Sequence, residues 1–175
     1  MSGPFGTAYG IQREDEDLAA MVEHTGAECV FGPANGGLFA LHGAIGLGHL
    51  SSLVGAAVHA FPSGVGAGLI DLFLRHERPR SGNVAWRELV ASLPAELDPV
   101  LDTEGTLEQY RQLAAEVLLM CGGETDPMFV DCAEALHAVL PHSIVLRLPG
   151  LNHDSAQTYG KPETIAAALR LFFGQ

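Results

Sequence analysis

Across residues 13–26, REDEDLAAMVEHTG, apolar positions 18, 21 and 22 follow a run of carboxylates at 14–17. That pattern predicts an amphipathic helix whose acidic start faces the positive end of its dipole and which stops at Gly26. The next segment, AECVFG, is short and apolar, the pattern of a strand covered on both faces. A turn at Gly32–Gly36 leads into a second helix, GGLFALHGAIGLG, and then a second strand, LSSLVGAAVHAF. After Phe61-Pro62 the pattern changes. Residues 63–114 hold three helical stretches, GAGLIDLFLRH, NVAWRELVASL and TLEQYRQLAA, broken by Pro, Gly and Ser, with no strand-like run. Strands return at EVLLMCGG and SIVLRLPG, with the helix DCAEALHAVL between them and IAAALRLFF closing the chain. Alternation of this kind predicts an α/β fold, a mostly parallel sheet covered by helices on both faces. Residues 1–62 and 115–175 would form its core, and 63–114 a helical insert.

Composition narrows the partners. The chain has 175 residues, 47% of them hydrophobic, enough for one well-formed core. A net charge of −12 with no cluster of Lys or Arg argues against nucleic acid and against anionic membrane surfaces. No segment reaches the ~18 consecutive apolar residues of a membrane helix. Cys29, Cys121 and Cys132 have no metal-ligand spacing, which fits a reducing cytoplasm. No HExxH or Cys/His cluster is present, so neither a metal nor another cofactor is expected. GAIGLG and GVGAG do not follow strands in the order a dinucleotide site needs.

Three loops carry candidate chemistry. Gly32-Pro33-Ala34-Asn35-Gly36 joins a strand to a helix, Asp126 follows a strand in GGETDP, and His153 follows the last strand in LPGLNHD. Elbow, acid and histidine in that order, each at the C-terminal end of a strand, resemble the α/β-hydrolase fold family. The resemblance covers residues 12–173, and the insert at 63–114 resembles that family's cap. It implies that His153 acts as acid/base, that Asp126 holds its tautomer, and that position 34 is the nucleophile's. Asn35 would offer a backbone N–H to an oxyanion, with Pro33 and His59 lining the pocket.

Two departures qualify that picture. Ala34 has a methyl group where the family mounts serine, so acyl-enzyme chemistry at this position is impossible. A natural change and an engineered replacement of serine are both compatible with the sequence. The strands that normally precede the elbow strand are also missing, which predicts a truncated version of the fold with an apolar edge at 27–31. A homodimer or a partner subunit would cover that edge. The implied function is binding of a small apolar molecule, with non-hydrolytic acid/base chemistry of a lyase, dehydratase, cyclase or decarboxylase type by a His153–Asp126 dyad. Alternatives are a serine esterase with its nucleophile replaced, and a non-catalytic binding or scaffold homologue. Asp126 before Pro127 also suits a helix cap. His42, His49, His137 and His142 are expected on helix surfaces or loops, and Phe61, Phe73, Trp86 and Phe129 in core or cap packing.

Overall fold

In the computed structural model, residues 9–47, 50, 52–55, 93–156 and 160–174 are described. Four strands, β1 Cys29–Gly32, β2 Ser52–Gly55, β3 Glu116–Gly122 and β4 Ser143–Leu148, form one sheet in the order β1-β2-β3-β4. Every pair is parallel. The helices among the described residues are α1 Ile11–Thr25, α2 Asn35–Gly46, α3 Leu93–Leu101, α4 Pro127–Val139 and α5 Pro162–Phe173, with 3-10 turns at Leu107–Gln112 and His153–Ala156.

Alternation along β3 explains the layers. Val117, Leu119 and Cys121 point to one face and pack with residues from α1, α2, α4 and the first 3-10 turn, among them Val22, Leu38, Tyr110 and Leu136. Leu118 and Met120 point to the other face, against Ile165, Ala168 and Phe172 of α5. A strand buried on both faces reads as a continuous apolar run, which is why EVLLMCG carries no polar residue after Glu116. Each fully buried leucine contributes roughly 1.5–3 kcal/mol of transfer free energy.

Several expectations change in detail. Helix α1 begins at Ile11, so of the four carboxylates only Glu14 lies in its first turn. Burial, with Asp17 and Asp15 close by, pushes the Glu14 carboxyl up. The helix does end at Gly26, in the left-handed region at φ 66°. TLEQYRQLAA forms a 3-10 turn in place of an α-helix. Val100, Tyr110 and Leu113, assigned from sequence to the insert, are buried in the core with α2 and α4. Apolar side chains at the end of that segment thus serve the sheet layer. His42, expected at a surface, is half-buried, and its Nδ1 lies 2.8 Å from Asp15 of α1. The stretch 56–61 of the second strand, the first two helices of the insert and His59 lie outside the described residues.

β1 is the first strand of the sheet, with β2 on one side. Its Phe31 is 38% exposed and its Cys29 is exposed.

Candidate active site

The turn after β1 is held in an unusual shape. Ala34 has φ 50° and ψ −126°, and among the described residues it is the one non-glycine with positive φ. That backbone suits glycine, so an alanine there stores strain of roughly 1–3 kcal/mol. Of the two flanking glycines, Gly32 is the one the turn requires. A β-carbon at Gly32 would lie 2.1 Å from the carbonyl oxygen of Gly36, an impossible approach. Gly36 N–H donates to the Pro33 carbonyl at 3.0 Å and Gly37 N–H to the Ala34 carbonyl at 2.9 Å. Asn35, the first residue of α2, keeps a backbone N–H with no acceptor among the described residues. The result is a tight strand-to-helix turn with Ala34 in a positive-φ conformation at its centre.

Two further loops meet it. Glu124 N–H donates to the Leu151 carbonyl at 2.8 Å and Gly123 N–H to the Leu148 carbonyl at 2.8 Å, tying the turn after β3 to the loop after β4. Gly122 allows this contact, since a β-carbon there would meet the Leu151 carbonyl oxygen at 2.3 Å. Asn152 N–H donates to Ser155 Oγ at 2.9 Å, and Ser155 Oγ donates to Asn152 Oδ1 at 2.9 Å, which closes the turn carrying His153. The His153 ring stacks on Phe129 of α4, with centroids 4.1 Å apart and planes 18° from parallel.

These loops enclose a cavity of about 50 Å³. Pro33, Ala34, Phe129, Leu151, His153 and Ile165 are among its lining, and no Asp, Glu, Lys or Arg is among the described residues that line it. Cys121 also lines it, but burial pushes its thiol up and its Sγ faces the Phe129 carbonyl at 3.9 Å. A protonated thiol is a poor nucleophile.

Of the site residues expected from sequence, Pro33, Ala34 and His153 come together in this cavity. Asp126 has a capping role. Its Oδ1 accepts the Met128 N–H at 2.9 Å and caps α4, with Pro127 next in the helix. That cap engages one of the two carboxylate oxygens. Sequence reasoning missed two contributors. Phe129 was expected as plain packing and is the platform under the imidazole, and Thr125, which lines the cavity, was passed over beside the more conspicuous Asp126. The cue for Phe129 was its place three residues after the acid, on the inner side of the first turn of α4.

With no hydroxyl or thiolate at residue 34, the site cannot form an acyl-enzyme there. What it offers, among the described residues, is a mostly apolar pocket with one imidazole.

No family model and no curated protein matches the sequence. Solved structures do match its shape. A hydrolase from Pseudomonas aeruginosa is similar with a TM-score of 0.74 at 18% identity, over 99% of this chain and 75% of that one. A carboxylesterase from Nitrososphaera gargenis gives 0.69 at 15% identity, over 98% and 74%. A monoacylglycerol lipase from Paleococcus ferrophilus gives 0.67 at 17% identity, over 99% and 79%. Together with the parallel four-stranded sheet and the strained elbow after β1, these likenesses show that the chain has the α/β-hydrolase fold.

Proposed function

We propose that this protein binds a small, uncharged, apolar molecule between Ala34 and His153, and that His153 exchanges a proton with it without a covalent intermediate. The observation that supports this most directly is the cavity itself, in which a titratable ring faces a position that cannot attack. Stacking on Phe129 fixes the plane of the imidazole, so its proton transfer is directional. Asp126, in the turn before Phe129, is the acid proposed to steady the charged ring. With no carboxylate or ammonium group among the described lining residues, a charged ligand would lack compensation there.

The test uses 5-nitrobenzisoxazole, an uncharged molecule that opens when a base takes its one ring C–H proton. As that proton leaves, the N–O bond breaks and a coloured phenolate is released. The wild-type protein should open it with saturation, and His153→Ala should lower kcat/KM by about 10²-fold or more, the usual contribution of a placed general base. Equal rates in the two proteins would sink the proposal.

A second reading has one observation in its favour. The strained φ of Ala34 persists although nothing on its side chain uses it, as expected if serine chemistry was lost from an intact elbow. Under that reading Ala34→Ser releases a one-equivalent burst of p-nitrophenol from p-nitrophenyl acetate, and absence of a burst removes it.

A further inference from the structure

Thr125 lies in the turn between β3 and α4 and lines the cavity shared by Ala34 and His153. Its Oγ1 is buried and has no hydrogen-bond partner. Its backbone, by contrast, is engaged, the N–H donating to the Gly122 carbonyl at 3.3 Å. A buried hydroxyl without a partner is rare in folded proteins, and each case calls for a cause. A structural role is hard to assign, because the turn is held by main-chain bonds and the neighbouring Asp126 already caps α4. One staggered step about χ1 moves the hydroxyl into the place of the methyl and the methyl into that of the β-hydrogen, which is enough to present the donor to the cavity.

We infer that Thr125 is a specificity-determining residue of the cavity, whose hydroxyl donates to the oxygen of a small uncharged carbonyl compound. The inference rests on the cavity being a ligand site and adds the class of ligand. Two features select that class. Among the described residues the lining is mostly apolar and holds no Asp, Glu, Lys or Arg, so the ligand body is apolar and uncharged. Thr125 Oγ1 can donate or accept, whereas the Asn35 N–H, next to the lining residue Ala34, can only donate, so an acceptor atom on the ligand suits both. Size sets a further limit. At roughly 10–15 Å³ per water, a cavity of about 50 Å³ holds three to five waters. Their liquid volume, about 30 Å³ each, matches a ring of five or six carbons.

The probes are cyclohexanone and methylenecyclohexane, which share a shape and differ in one oxygen. Binding is measured by ligand-observed NMR to the wild type, Thr125→Val and Thr125→Ser. The wild type should favour the ketone, Thr125→Val should weaken ketone binding about three- to tenfold while leaving the hydrocarbon unchanged, and Thr125→Ser should keep the preference. Thr125→Val without ligand should melt no lower than the wild type, since no internal bond is lost. An unchanged preference for the ketone in Thr125→Val overturns the role of Thr125 and leaves the cavity as a ligand site. A lower melting temperature for that variant also overturns it, by showing an internal partner. Binding of neither probe to the wild type overturns the ligand site and this inference with it.

Discussion

Replacing Ala34 with glycine isolates the strain in the elbow from any chemistry. At φ 50° and ψ −126° the alanine β-carbon is opposed by its own backbone, at a cost of roughly 1–3 kcal/mol that glycine does not incur. Against that stands the larger conformational freedom of glycine in the unfolded chain, about 0.4–1 kcal/mol. The balance is a gain of about 1 kcal/mol, or about 3 °C in Tm for a chain of this size. Gly32→Ala is the matched control with the opposite sign. Its β-carbon would sit 2.1 Å from the Gly36 carbonyl oxygen and 2.5 Å from the Gly37 nitrogen, both main-chain atoms that cannot swing away. A loss of at least about 3 kcal/mol follows, near the upper end of point-mutation effects. Scanning calorimetry on the three proteins at one pH measures both. An Ala34→Gly protein that melts 3 °C or more below the wild type, or a Gly32→Ala protein that melts with it, would refute the account of the elbow.

Two other predictions concern the core. Burial pushes the Tyr110 phenol from 10.0 up to about 12, so the folded state keeps a proton that the unfolded chain releases. The corresponding stability is present below pH 10 and is lost as pH rises from 10 to 12, on the order of 2–3 kcal/mol, and urea midpoints across that range should fall less steeply in Tyr110→Phe. Cys29 is exposed whereas Cys121 and Cys132 are buried, and burial pushes the Cys121 thiol up. A maleimide at pH 7.5 should therefore label Cys29 within minutes and the other two only in urea, as read by peptide mass; rapid labelling of Cys121 in the native protein would contradict the packing described for β3.

The sheet was legible in sequence because β3 and β4 are long apolar runs between clear turn residues, and their ends match the runs EVLLMCGG and SIVLRLPG closely. The turn after β1 was legible because Gly32 and Gly36 frame one residue, and Gly32 leaves no room for a side chain. Tertiary packing hid the rest. The leucines and tyrosine between Leu107 and Leu113 have helical spacing, but burying Tyr110 and Leu113 against α2 and α4 tightens the segment into a 3-10 turn. His42 carries no sequence mark that distinguishes it from a surface histidine; its partner Asp15 is brought to it only when α1 lies on α2. Asp126 was visible as both a cap and an acid, and the structure shows it capping.

The pairing of the strands has a consequence for how the sheet assembles. Cys29 pairs with Ser52 and Val117 with Ser143, but the seam between these halves joins Ser52 to Glu116. That central loop is between two and three times as long as the other two, which adds roughly 0.6–0.9 kcal/mol to the entropy of closing it. Each β-α-β half can thus gather locally, while the middle of the sheet forms through the most distant of its three strand pairings. The centre of the sheet, where buried strands are usually sought as a nucleus, is here the one of the three strand joins with the greatest sequence separation.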